Sequence, residues 1–78
     1  MKLELFKKDT CPFCQRVMQY IDQSGRNDVE YHDIINSEPD HERLIVEGGQ
    51  DMVPCLFIDG TPMYESSDII RWLQDNPE

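Results

Sequence analysis

Apolar and polar positions along the chain change period several times, and each change marks an element. Residues 2–6 (Lys-Leu-Glu-Leu-Phe) alternate, the period-two pattern of a strand. Residues 12–24 place Cys14, Val17, Met18 and Ile21 at i, i+3, i+4 and i+7, one apolar stripe of a helix that Gly25 is placed to stop. Residues 29–33 read as a second strand, with Val29 and Tyr31 on one face. Ser37 is set as the N-cap of a second helix, with Pro39 in its first turn and Asp40 three residues on. Leu44, Ile45 and Val46 supply its buried side, and Gly48-Gly49 ends it. Residues 54–58 form a compact apolar run and predict a central strand. Asp59-Gly60 is a hairpin signal, and residues 61–64 form the returning strand. Ser66 or Ser67 then caps a last helix carrying Ile69, Ile70, Trp72 and Leu73, which Asn76-Pro77 terminates.

The order strand, helix, strand, helix, strand, strand, helix predicts an α/β fold. A strand–helix–strand unit followed by a hairpin gives a mixed four-stranded sheet with three helices on its faces. With 78 residues, the expectation is a single domain over 1–78 with a compact core. There is no apolar run of membrane-spanning length and no leader-like stretch, so a soluble, cytoplasmic, monomeric protein is expected.

The net charge of −9 argues against nucleic-acid binding through phosphates. Its distribution adds something. Residues 1–16 hold Lys2, Lys7, Lys8 and Arg16 against Glu4 and Asp9, whereas residues 17–78 hold three basic and fourteen acidic groups. The only net-positive segment surrounds Cys11-Pro12-Phe13-Cys14.

That cysteine pair is the strongest chemical signal. It falls between the first strand and the first helix, so Cys11 is expected at a helix N-terminus, among amides without intrahelical partners. Such a position lowers a cysteine pKa from about 8.5 to roughly 3.5–7.5. Pro12 suits the first helical turn. The expected chemistry is thiol–disulfide exchange, with Cys11 attacking and Cys14 resolving. The rivals are weaker. Zinc is usually held by two spaced ligand pairs, and Cys55, His32 and His41 make no second pair. A structural bridge over two residues closes too short a loop to gain much. Three cysteines also suit a reducing compartment better than a stapled secreted scaffold. Cys55, inside an apolar run, reads as a buried free thiol. His32 and His41 read as solvated, without a role. Lys8 reads equally as a surface lysine or a ligand group.

The residues resemble a glutaredoxin over nearly the whole chain. The likeness runs from Lys8-Asp9-Thr10-Cys11-Pro12-Phe13-Cys14 through Met52-Val53-Pro54 and Asp59-Gly60 to Ser67-Asp68. It implies a thioredoxin-like fold and glutathione-dependent reduction of protein–glutathione mixed disulfides and protein disulfides. It also implies a cis Pro54, with the Val53 backbone pairing with glutathione as an added strand. Lys8 would meet a glutathione carboxylate, Phe13 would line the groove, and Ser67 with Asp68 would hold the γ-glutamyl end. Two departures stand out: Met52 replaces the usual Thr, and Tyr64-Glu65-Ser66-Ser67-Asp68-Ile69 replaces a Gly-Gly segment. The Glu-Ser-x-x-Ile arrangement is similar to the N-terminal domain of glutathione transferases, which adds Glu65 and Ser66 as γ-glutamyl ligands. Glutathione is then the reductant and co-substrate, disulfide-containing proteins are the partners, and no metal is called for. A thioredoxin-type electron carrier and an iron–sulfur carrier using Cys11 with glutathione remain as alternatives.

Overall fold

A computed structural model describes all residues, 1–78. The elements are β1 (Leu3–Lys7), α1 (Pro12–Ser24), β2 (Val29–Asp33), α2 (Glu38–Gly48), β3 (Cys55–Ile58), β4 (Thr61–Tyr64) and α3 (Ser66–Asp75). The chain is a thioredoxin-like α/β fold, with one sheet of four strands in the order β2-β1-β3-β4. β1 and β2 run parallel through the α1 crossover, and β3 is antiparallel to both β1 and β4.

The period-two geometry of β1 divides the core in two. Leu3 and Leu5 face α1 and α3, where Val17, Ile21, Leu56, Ile69 and Leu73 complete one cluster. Phe6 faces α2, where Ile34, Leu44, Cys55 and Phe57 form the other. Because β1 lies inside the sheet with helices over both faces, Glu4 is buried as well, only 3% exposed. Arg43 of α2 reaches over to donate from Nη1 to Glu4 Oε2 at 2.8 Å and from Nη2 to Oε1 at 3.2 Å.

The expected punctuation is largely present. Gly25 and Gly49 end α1 and α2 at φ of 74° and 81°, and the Ser37 side chain accepts from the Asp40 amide at 3.4 Å. Asp59 and Gly60 both take positive φ in the β3–β4 hairpin, as a type I′ turn requires.

Four expectations are corrected. Ile45 and Val46 are 44% and 72% exposed; α2 lies on the sheet by one side only, and Leu44 is its single buried residue. Trp72 is half-buried at the margin of its cluster. Neither Ser66 nor Ser67 caps α3, because Glu65 holds that position at φ 73° with no side-chain cap bond. His32 is not solvated: its side chain is 13% exposed, stacked on Phe6 with ring centroids 4.8 Å apart. Its Nε2 lies 3.1 Å from Glu4 Oε2 and its Nδ1 3.1 Å from Asp40 Oδ1. The parallel register explains the placement, since it sets His32 directly beside Phe6.

Candidate active site

β1 ends at Lys7, and the chain turns into α1 through residues 8–11. The Cys11 amide closes that turn by donating to the Lys8 carbonyl at 3.2 Å, and the Gln15 side chain ties it down by donating to the Asp9 carbonyl at 2.7 Å. Cys11 is the N-cap of α1 in extended conformation, and Pro12 occupies the first turn. Its sulfur accepts from the Cys14 amide at 3.4 Å. A cysteine here does what a capping serine does elsewhere, with a softer and more ionisable atom.

The two thiols are pushed apart electrostatically. Burial works against ionisation of Cys11, but hydrogen bonds from the Cys14 amide, the Cys14 thiol and the Phe13 amide, together with the Lys8 charge, outweigh it and lower its pKa. Cys14 is fully buried, and burial, reinforced by its hydrogen bond to Cys11, pushes its pKa up to about 12. The Cys11 sulfur therefore ionises more readily than an ordinary thiol, and Cys14 holds its proton next to it. Lys8 contributes less than the amides, so the helix terminus, rather than the basic segment, governs Cys11.

Two adjoining grooves open around this cap. One, of about 390 Å³, is bordered by Lys8, Thr10, Cys11 and Pro12 on one side and by Asp51, Met52 and Val53 on the other. The second, of about 300 Å³, runs from Phe13 and Arg16 past Met52, Val53 and Pro54 to Glu65, Ser66 and Ser67. Met52 and Val53 are the shared wall. The Val53–Pro54 peptide is cis. Val53 lies outside the strands, and its amide and carbonyl make no hydrogen bond within the chain. At the far end, Ser66 is buried in the first turn of α3, whose leading amides have no side-chain cap, which leaves an open helix N-terminus.

Of the residues singled out in the sequence, Cys11, Lys8, Phe13, Val53, Pro54, Glu65, Ser66 and Ser67 border these grooves, and Cys14 lies beneath Cys11. Asp68 does not; it is exposed in the first turn of α3, outside both linings. Arg16 was not anticipated as a groove residue. The signal was present, because it follows Phe13 by three positions and so shares its helix face. Cys55 is buried with its pKa raised to about 11 by burial, as its apolar surroundings suggest. No helix is long and apolar enough to cross a membrane.

Fold and site together define a thioredoxin-like domain with a thiol at a helix cap. The family model of the glutathione S-transferase N-terminal domain matches residues 5–78, and the chain belongs to that family. No curated protein matches the chain. Among solved structures it is similar to the thioredoxin-like protein BC3987, at 23% identity and TM-score 0.79, covering 95% of this chain and 97% of that one. It is also similar to glutathione transferase Omega 3C from Trametes versicolor, at 23% identity and TM-score 0.80, covering 96% of this chain and 33% of the transferase. The holo form of glutaredoxin C1 from Populus tremula x tremuloides gives 23% identity and TM-score 0.71, covering 95% and 75%. At such identities the likeness is one of fold. This chain spans a third of the transferase and nearly all of the thioredoxin-like protein.

Proposed function

We propose that this chain is a glutathione-dependent thiol–disulfide oxidoreductase of the glutaredoxin type, acting as one domain. The observation that carries the reading is the Cys11 sulfur at the α1 cap, with lowered pKa, opening onto a groove whose wall is the unpaired backbone of Val53.

In the proposed cycle the Cys11 thiolate attacks the glutathione sulfur of a protein–glutathione mixed disulfide. The Cys11–glutathione bond forms, the old disulfide breaks, and the protein thiol leaves as a thiolate that takes a proton from water. A second glutathione, as thiolate, attacks the glutathione sulfur on Cys11. Oxidised glutathione departs and the Cys11 thiolate returns, so one free glutathione thiol is taken to the disulfide level as the protein sulfur is returned to a thiol. With a protein disulfide, Cys11 first forms a mixed disulfide with the protein. Cys14 then gives up its proton and displaces the protein thiol, leaving a Cys11–Cys14 bond for glutathione to reduce. The high pKa of Cys14 makes that second route slower than the first.

In this reading glutathione lies along Val53 as an added strand, with its cysteine sulfur facing Cys11. Lys8 meets one carboxylate, Phe13 covers the chain, and the γ-glutamyl carboxylate sits at the open N-terminus of α3. Glu65 and Ser66 border the groove whereas Asp68 does not, which favours the pair shared with transferase N-terminal domains as the γ-glutamyl ligands, with Ser67 beside them.

The family match supports a second reading, transfer of glutathione to an electrophile, with Cys11 or its cap position activating the glutathione thiol. One comparison decides between them. Wild-type protein is assayed with a glutathionylated peptide and with an aromatic electrophile, alongside Cys11→Ser and Cys14→Ser. The oxidoreductase reading expects deglutathionylation that Cys11→Ser abolishes and Cys14→Ser retains. Activity only towards the electrophile, or full deglutathionylation by Cys11→Ser, refutes it.

A further inference from the structure

Tyr64 is the last residue of β4, and its ladder partner is Cys55, the first residue of β3. The two walls of the candidate glutathione groove leave the sheet from this one pair. Pro54 and Val53 precede Cys55, and Glu65 and Ser66 follow Tyr64. Backbone pairing fixes the walls only at that point. Beyond it, the loop from Gly49 to Val53 has one backbone–backbone hydrogen bond, from the Gly49 amide to the Ile45 carbonyl at 3.1 Å. It therefore depends on side-chain ties, as loops with few backbone bonds do.

One tie is at the surface, where His41 Nε2 lies 2.8 Å from Asp51 Oδ1. The other is Tyr64. Its ring packs against the Phe6–Phe57 cluster, and its hydroxyl reaches the Gly48 carbonyl at 3.0 Å and the Gln50 carbonyl at 3.2 Å. A phenol has one proton, so it donates chiefly to Gly48 and shares with Gln50. The end of α2 is shaped for this approach: a Cβ at residue 48 would lie 2.7 Å from the Tyr64 oxygen, and Gly48 carries none. The Tyr64 pKa is pushed up to about 12, first by burial and then by the neighbouring Cys55, so the hydroxyl keeps its proton at neutral pH.

We propose that Tyr64 is a positioning residue of the glutathione groove, whose hydroxyl holds the Gly49–Val53 loop at the spacing that lets Val53 and the α3 N-terminus engage one ligand together. The inference rests on the proposed function for its ligand, and on geometry alone for the loop. A purely structural tyrosine would stabilise the fold and leave ligand affinity alone. A positioning one acts on affinity, because the free loop must be reordered each time glutathione binds.

The test is Tyr64→Phe, which keeps the ring and removes the hydroxyl. Losing one neutral hydrogen bond should raise the KM for glutathione about fivefold. The kcat and the pH midpoint of Cys11 reactivity should move by less than about twofold and hardly at all, respectively, because the α1 cap is untouched. Backbone order parameters at Gln50–Val53 should fall in the free protein, with those of β1 and β3 unchanged. Gly48→Ala, which forces the hydroxyl away while leaving Tyr64 in place, should reproduce the effect. An unchanged KM with unchanged loop order parameters in Tyr64→Phe overturns the inference. If the wild type ignores glutathione, the proposed function fails, and the order-parameter measurement alone then decides whether Tyr64 holds the loop.

Discussion

The division of labour between the two site thiols can be measured directly by removing each in turn. Cys11 titrates below an ordinary 9.0, Cys14 is pushed up to about 12 and Cys55 to about 11. At pH 7 a thiol with a pKa of 12 is about 10⁻⁵ ionised, one at 11 about 10⁻⁴ and one at 9 about 10⁻². A more basic thiolate is intrinsically the better nucleophile, with a Brønsted slope of about 0.4–0.5, which returns roughly twentyfold over three pH units. The balance leaves Cys14 about fifty times slower than an ordinary thiol and Cys55 about ten times slower, before their complete burial is counted. Cys11 is faster than ordinary at neutral pH. The assay is release of a chromophoric thiol from an aromatic disulfide by Cys14→Ser and by Cys11→Ser. Cys14→Ser should show one fast thiol, with a rate that falls about tenfold per pH unit below the Cys11 midpoint and levels off above it. Cys11→Ser should show none in the same interval, because burial, the first cause of the raised Cys14 pKa, survives the substitution. A fast phase in Cys11→Ser within fivefold of that in Cys14→Ser would falsify the assignment of the nucleophile.

Two further expectations follow from the charged groups. Arg43→Leu leaves the Glu4 carboxylate 97% buried without its two hydrogen bonds, a loss of about 1–3 kcal/mol that a solvent-facing guanidinium keeps towards the lower end. The Arg43 hydrogen bond is also the main reason the Glu4 pKa is lowered from 4.5, so the pair stabilises the fold fully above 4.5 and loses that contribution as pH falls through the lowered value. Thermal melts should show the gap between wild type and Arg43→Leu at pH 7 closing in acid, and a gap that widens there contradicts the pairing. Lys8→Ala should raise the KM for glutathione by about two- to fivefold, the worth of a partly exposed ion pair. It should shift the pH profile of Cys11 only slightly, because the Lys8 charge ranks behind the hydrogen bonds in lowering that pKa; a shift larger than that from Cys14→Ala would reverse this ranking.

Local patterns in the sequence disclose most of the fold and miss what depends on distant partners. Cys14, Val17 and Ile21 repeat at helical spacing and are all buried, and Ser37, Gly25, Gly49 and Asp59-Gly60 sit at the boundaries that their chemistry suggests. The Leu44-Ile45-Val46 run is a different case, since three consecutive apolar residues cannot tell which one points at the sheet. Glu4 and His32 were illegible for a topological reason. Alternation in residues 2–6 suits a strand with one wet face, but β1 is covered on both, and the group that makes Glu4 tolerable is Arg43, 39 residues away. The Ser66-Ser67 pair looks like a cap because serine usually is one, while the actual cap position is a glutamate at φ 73°, with no local composition to announce it. The cysteine motif and its helix start were readable because the chemistry and its support lie within four residues.

The same locality accounts for a lowered thiol pKa in so acidic a chain. With a net charge of −9, the far field of the protein opposes any anion. That field is screened over about 8 Å at physiological ionic strength. Hydrogen bonds are not screened in this way. The Cys14 amide meets the Cys11 sulfur at 3.4 Å, and it is fixed there by the helix that it begins. Stabilisation that arrives through the backbone of α1 does not depend on the surrounding charge, and the Lys8 charge adds to it more weakly. The basic segment and the cysteine pair coincide in the sequence, and in the fold the hydrogen bonds act most on the sulfur, the Lys8 charge adds less, and Lys8 and Arg16 border the two grooves.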